Sequence, residues 1–210
     1  MIRVIVADDH AIVRKGLISI LQACGDLCCV AEGANAVEAM RAVRETPAEV
    51  LVLDVSMPGK DGIEVLKQVK KEQPRLPVLI LSSHSEDQYA MRSIKAGAAG
   101  YLTKDSAPQQ LVAAIRQIAS GRKYITPELA QTLADHVESP TEGPIHESLS
   151  DREFQTLKLI GAGNSLTQIA QKLCLSVKTV SVYRARLLEK MQMKNNAELT
   201  RYAIESQLVD

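Results

Sequence analysis

Val50-Leu51-Val52-Leu53-Asp54 is a run of four apolar residues closed by a carboxylate. A strand with one wet face alternates apolar and polar residues. A strand covered on both faces reads as a continuous apolar run, which is the habit of parallel sheets sandwiched between helices. The same form recurs on either side. Ile2–Ala7 precedes Asp8-Asp9-His10, Val78–Leu81 precedes Ser82, and Gly100–Leu102 precedes Thr103-Lys104, with a further strand at Cys28–Glu32. Helical periodicity follows each strand, over Ala11–Ala23, Ala36–Glu45, Gly62–Glu72, Asp87–Ala96 and Pro108–Ser120. Five strand–helix units predict a doubly wound parallel sheet in the order 2-1-3-4-5.

The 210 residues exceed what this sheet needs, and 46% hydrophobic residues supply core for a second domain. No apolar run approaches the roughly 18 residues that span a bilayer, and Met1-Ile2-Arg3-Val4 does not open a secretion signal. A cytoplasmic protein is expected. Cys24, Cys28, Cys29 and Cys174 lack the paired spacing of a metal knuckle and read as packing residues, with redox sensing by the first three as the alternative. Net charge is zero, but residues 149–210 carry +3 and the rest −3. Lys172 to Lys194 holds six basic residues against one acid, Glu189. That is a basic helix or, on charge alone, an ordinary solvated face.

Ligands of an open parallel sheet bind beyond the carboxyl ends of its strands. In the expected order, Asp8, Asp9 and Asp54 converge there, joined by Ser82 and Lys104. Carboxylates that close repel unless a cation lies among them, and Mg²⁺ is the hard ion that oxygen donors favour. The set suits phosphoryl transfer to a carboxylate. Asp54 is the candidate nucleophile, Ser82 can donate a hydrogen bond to the phosphoryl group, and Lys104 can neutralise its charge. Taken singly, each acid could merely end a strand or cap a helix. His10 and His84 flank the site and read as bystanders, with a ligand or proton-transfer role as the alternative.

Thr126-Pro127-Glu128 predicts a helix start, and that helix should run to about His136. Glu138-Ser139-Pro140-Thr141-Glu142-Gly143-Pro144 has linker composition. The expected division is a phosphoacceptor domain over 1–122, a linker with a helical first part over 123–148, and an all-helical domain over 149–210. Capping spacings at Ser150, Ser165 and Asn195, with Ser176 before a further helix, predict four short helices. Leu157, Ile160, Ile169, Ala170 and Leu173 are core candidates, as are Val180, Tyr183, Leu187 and Met191 on the third helix. Two helices joined by Cys174-Leu175-Ser176, the second one basic, describe a helix-turn-helix. Lys178, Ser181, Val182 and Ala185 are the candidates for base edges, and Thr179, Tyr183, Arg186 and Lys190 for phosphates.

Asp8-Asp9-His10, Asp54 through Gly62, Ser82, Ala96 through Tyr101, and Lys104-Asp105 resemble the receiver domains of response regulators, which have the flavodoxin-like fold. The second domain resembles the LuxR-type four-helix module. It does so through Leu149 to Glu153, Leu159 to Gly163, Ile169 to Leu173, Ser176 to Val180 and Tyr183 to Met191. Together they resemble the NarL/FixJ subfamily. The resemblance implies phosphorylation of Asp54 by a sensor histidine kinase. It implies Mg²⁺ held by Asp9 and Asp54, by Asp8 through water, and by the Ser56 backbone carbonyl. Ser82 and Tyr101 are the implied switch residues. The last helix, Ala197–Leu208, is an implied dimerisation surface through Leu199, Ala203 and Leu208. A phosphorylated homodimer would then bind promoter DNA, with RNA polymerase as a further partner. Leu166-Thr167-Gln168 and Tyr183 depart from the family's usual residues, which touches only the phosphate contacts.

Three rivals fit less well. An aspartyl-phosphate phosphatase would want an acid where Ser56 stands. A dinucleotide-binding protein would want a glycine-rich loop after the first strand. A vestigial receiver would lack part of the acidic set. No enzyme activity is expected beyond Mg²⁺-dependent self-phosphorylation and autodephosphorylation.

Overall fold

A computed structural model describes the chain apart from residues 56, 58–61, 84, 85, 139–143, 207 and 210. Of 86–88, 132, 133, 135–138 and 147 it describes the backbone alone. Ser56, His84 and most of the 138–144 segment, all singled out above, lie outside the described residues or side chains. The chain forms two compact units, Met1–Asp135 and His136–Asp210.

The first unit alternates β1 (Ile2–Ala7), α1 (Ala11–Ala23), β2 (Leu27–Gly33), α2 (Ala36–Glu45), β3 (Val50–Asp54), α3 (Gly62–Glu72), β4 (Val78–Ser82), α4 (Glu86–Lys95), β5 (Gly100–Thr103) and α5 (Ala107–Ala119). The five strands are parallel, in the order β2-β1-β3-β4-β5. Val4, Val6, Val50, Val52, Leu79 and Leu81 pack with Leu17 and Leu21 of α1 and Leu111, Ile115 and Ile118 of α5. The alternate residues Ile5, Leu51, Leu53 and Ile80 are equally buried and face the other way. There α2 packs on α3 and α3 on α4. Burial on both sides is why β3 and β4 carry no polar residue until their carboxyl ends, whereas β1 begins with the exposed Arg3.

The unit does not stop at α5. Tyr124 forms a parallel bridge with Gly100, its amide donates to the Ala99 carbonyl at 2.8 Å, and its hydroxyl bonds Gln110 at 3.0 Å. A helix α6 (Pro127–Glu138) follows, its start capped by Thr126, whose Oγ1 accepts from the Leu129 amide. The linker expected over 123–148 is thus structured at both ends. Its first residues belong to the sheet unit, and His146 belongs to the second unit, where its ring bonds Tyr202.

The second unit opens with a short 3-10 helix, Ile145–Ser148, then α7 (Asp151–Gly161), α8 (Leu166–Leu173), α9 (Val177–Lys190) and α10 (Asn196–Glu205). Each α-helix has a side-chain cap. Ser150 and Ser165 form full capping boxes with Glu153 and Gln168, and Ser176 and Asn195 accept from the amides of Thr179 and Glu198. Gly161 lets α7 and α10 approach closely, because a Cβ there would stand 2.6 Å from the Ala203 Cβ. Among the described residues no helix is long and apolar enough to cross a membrane.

Candidate functional site

Parallel strands of similar length bring their carboxyl ends to one edge. Asp54 closes β3 and is fully buried, as is Asp8, just past β1. Ser82 closes β4, also fully buried, and pairs with Thr103 across to β5. The next residue, Lys104, donates its amide to the Ser82 carbonyl at 2.8 Å. This backbone bond aims the lysine back over the edge. Its Nζ donates to Asp54 Oδ2 at 2.8 Å and lies 2.9 Å from Asp8 Oδ2. Burial pulls the Lys104 pKa down, but the bond to Asp54 and the pairing with Asp8 outweigh it and hold the lysine above its ordinary value. The ammonium therefore stays charged between two acids that water cannot reach.

Gly62 sets how closely α3 approaches this edge. Its amide donates to the Val55 carbonyl at 2.8 Å. A Cβ at this position would stand 2.5 Å from the Val55 Cα and closer still to the Asp54 carbonyl oxygen.

Ligand atoms of Asp8, Asp9, His10 and Asp54 all lie within 4.8 Å of one another. Asp8 Oδ2 and Asp9 Oδ1 are buried and receive no aligned hydrogen bond. Lys104 is close to the first, but off the line a hydrogen bond requires. Three carboxylates with spare lone pairs are a donor set that fits a hard divalent cation. The arrangement can hold such a cation, present the Asp54 carboxylate as a nucleophile, and neutralise charge arriving beside it. Tyr101, the expected aromatic switch, is wholly buried in β5.

Sequence reasoning passed over one contributor and gave another, His10, a ligand role only as the alternative. Arg14 donates to the Asp8 carbonyl at 2.7 Å and to Glu32 at 2.8 Å, pinning the turn after β1. Its position in the first turn of α1, four residues beyond the N-cap His10, was the available signal. His10, taken for a bystander, lies 2.8 Å from Asp9 Oδ1.

In the second unit, α8 ends at Cys174 in the left-handed conformation (φ 53°), and Ser176 starts α9 two residues later. Val180, Leu187 and Met191 are buried beneath α9, with Ile169, Ala170 and Leu173 of α8 in the same core. Lys178, Ser181, Val182, Ala185 and Arg186 are exposed along the outer side of α9, with Thr179 half-buried beside them. Tyr183, expected in the core, is only half-buried. It lines an open groove of about 350 Å³ with Ser176, Lys178, Thr179, Val182 and Arg186.

One expectation needs correction, and another residue has a partner the sequence did not show. Lys190, expected on a phosphate, is exposed and bonds Glu153 Oε2 at 2.7 Å. Glu153 is the buried acid of the Ser150 capping box, so Lys190 ties the end of α9 to the start of α7. The Glu at the third position of a capping box was visible in the sequence, but its cation is 37 residues away. Leu199, Ala203 and Leu208, expected on a dimer surface, are buried inside their own unit. Helical spacing marks an apolar stripe without saying what covers it, and here α7 does. The outward residues of α10 include Ala197, Arg201 and Ile204.

Comparison with known proteins matches residues 4–116 to the family "Response regulator receiver domain" and residues 147–203 to "Bacterial regulatory proteins, luxR family". The chain is 37% identical over 212 residues to response regulator GacA of Pseudomonas aeruginosa, across all of this chain and 99% of that protein. It is 37% identical over 206 residues to response regulator UvrY of Escherichia coli, across 97% of this chain and 94% of that one. Among solved structures it is similar to RcsB of Salmonella enterica serovar Typhimurium bound to a promoter in the presence of the phosphomimetic BeF₃⁻. That match has a TM-score of 0.67 at 25% identity, covering 96% of this chain and 97% of that one. A LuxR-family two-component response regulator from Aurantimonas matches with a TM-score of 0.61 at 36% identity, over 66% of this chain and 99% of that one.

Proposed function

Because the chain belongs to the two-component response regulators of the NarL/FixJ type, we propose that Asp54 is its phosphoacceptor and that phosphorylation switches it to a promoter-binding dimer. It is a regulator with a receiver and a LuxR-type DNA-binding domain, not a classical enzyme. The observation that carries the proposal is Asp54 itself: fully buried, at a strand end, and bonded to Lys104.

The Asp54 oxygen attacks phosphorus of the phosphohistidine of a sensor kinase, and the P–N bond breaks as the acyl phosphate forms. Lys104 exchanges its contact with the carboxylate for one with a phosphoryl oxygen, so its charge stays compensated. Ser82 donates its hydroxyl hydrogen to another phosphoryl oxygen. Asp9 and Asp54 would hold Mg²⁺ directly and Asp8 through water, with the Ser56 carbonyl as a further donor. When bound, that ion neutralises the charge of the transferring group. Ser82 and Tyr101 carry the change to the surface around α4 and β5.

Lys178, Ser181, Val182 and Ala185 read base edges, and Thr179, Tyr183 and Arg186 contact phosphates. The receiver role rests in 1–122 and the DNA role in 149–210. The Salmonella relative captured on a promoter with a phosphomimetic supports the coupling of the two. RNA polymerase is the proposed further partner, and these partners put the work in the cytoplasm.

The test is selection from random duplexes by the purified chain, with and without acetyl phosphate and Mg²⁺. Enhanced selection of a twofold-symmetric site is expected, and Asp54→Asn should abolish the enhancement. Equal enhancement of parent and variant would refute Asp54 as the switch.

A further inference from the structure

The acidic edge also holds a nitrogen donor. His10 Nδ1 lies 2.8 Å from Asp9 Oδ1 and 3.5 Å from Asp8 Oδ1. The ring makes no capping bond to α1, which it precedes, and the side chain is 60% exposed, so packing does not hold it there. Backbone does. The His10 amide donates to Asp8 Oδ1 at 2.8 Å, and its carbonyl accepts the Arg14 amide at 2.9 Å. The turn thus fixes the His10 backbone beside the acids, within reach of its ring.

A second observation concerns the oxygens it faces. The Asp8 carboxylate is 1% exposed; its Oδ1, toward the ring, accepts the His10 amide, and its Oδ2, 2.9 Å from the Lys104 ammonium, accepts no aligned hydrogen bond. Asp9 Oδ1, 2.8 Å from the ring nitrogen, accepts none either. Buried acceptors left without an aligned donor are costly. An imidazole nitrogen and carboxylate oxygens that converge with no proton aligned between them are arranged as ligands arrange themselves.

We propose that His10 supplies a nitrogen ligand to the cation of the acidic pocket and shifts its preference from Mg²⁺ toward first-row transition dications. This rests on the reading of Asp8, Asp9 and Asp54 as the cation site. Magnesium is served by oxygen donors and gains little from an imidazole, whereas affinity for a mixed nitrogen–oxygen set rises along the transition series from Mn²⁺ toward Co²⁺.

The test uses the full chain titrated separately with Mg²⁺, Mn²⁺ and Co²⁺, in the parent, His10→Ala and Asp9→Asn. His10 is exposed and its structural bonds are made by backbone, so His10→Ala should fold. Affinity should rise from Mg²⁺ through Mn²⁺ to Co²⁺ in the parent. His10→Ala should weaken Co²⁺ on the order of tenfold while changing Mg²⁺ less than about twofold. Pulsed electron paramagnetic resonance of bound Mn²⁺ should show histidine nitrogen coupling in the parent and none in His10→Ala. Asp9→Asn should weaken all three cations. If it does so while His10→Ala leaves the ranking and the nitrogen signal unchanged, the His10 assignment falls alone. If Asp9→Asn binds all three like the parent, the acidic-pocket reading falls, and the His10 assignment with it.

Discussion

Replacing Gly62 by alanine tests how tightly the phosphoacceptor edge is built. The new methyl would stand 2.5 Å from the Val55 Cα and 3.0 Å from the Asp54 carbonyl carbon, both backbone atoms that cannot swing aside. Carbon atoms rest about 3.5–4.0 Å apart, so the start of α3 must retreat by roughly 1 Å. Overpacking of this kind costs about 1–3 kcal/mol. The retreat also strains the Gly62–Val55 hydrogen bond, worth about 1 kcal/mol. The expected destabilisation of the sheet unit is therefore about 2–4 kcal/mol. Gly16→Ala is the internal control. Nothing lies within 4 Å of a Cβ there, the position is inside α1, and the exchange should stabilise by about 1 kcal/mol. Hydrogen exchange of the β3 amides in the full chain reads both changes separately from the second unit. Exchange in Gly62→Ala should quicken on the order of 30- to 1,000-fold if global opening governs it, and exchange in Gly16→Ala should slow. Unchanged β3 protection in Gly62→Ala would refute the argument that backbone, not side chain, limits this approach.

Three further outcomes follow from the second unit. Lys190→Met should cost about 1–2 kcal/mol of stability, discounted because Lys190 is 42% exposed. It should leave the salt dependence of DNA binding unchanged, whereas Lys178→Ala or Arg186→Ala should each lower the slope by about 0.9; a matching drop for Lys190→Met would return that lysine to the phosphates. Burial pushes the Glu153 pKa up, but Lys190 and the Ser150 amide hold it below the ordinary 4.5. Its contribution to stability is therefore present above that value and lost as pH falls through the depressed one; urea unfolding followed from pH 6 to pH 2 should show this loss in the parent and a smaller one in Lys190→Met. Leu199→Ala should destabilise the unit by about 2–5 kcal/mol, while Ile204→Ala, at 53% exposure, should stay within about 0.5 kcal/mol. Equal thermal shifts for the two would contradict the assignment of Leu199 to the core.

Strand existence and order were legible because burial on both faces forbids polar residues, and runs such as Val78–Leu81 have few other readings. The strands differ from expectation by one residue at their ends: β2 starts at Leu27, and β3, β4 and β5 run one residue further, to Asp54, Ser82 and Thr103, while α6 runs on to Glu138 and α10 stops at Glu205, three residues short of the expected Leu208. End residues carry mixed character, so periodicity fades there. The residues converging at the carboxyl edge were legible from topology alone. Pairings across long sequence separations were not. Lys190 with Glu153 and Tyr124 with Gly100 depend on tertiary placement that no local pattern encodes. The apolar stripe of α10 was found correctly, but its partner was misjudged, because a stripe facing a neighbouring helix and one facing a second copy look alike in sequence.

The caps at Ser150, Ser165, Ser176 and Asn195 bear on the order in which the chain acquires its shape during synthesis. Each cap lies three residues from its partner amide, so the helices of the second unit are specified by contacts made almost as soon as the chain emerges. The sheet of the first unit instead requires β1 to meet β3 across more than forty residues, and such non-local pairing is slow. A ribosome adds about 5–20 residues per second. The residues from His136 onward therefore take roughly 4–15 s to make, all of it after the last residue of the sheet has been added to the chain. The slow-folding sheet comes first and the fast-folding helices last, so each unit has time to close before the other can offer it a wrong partner.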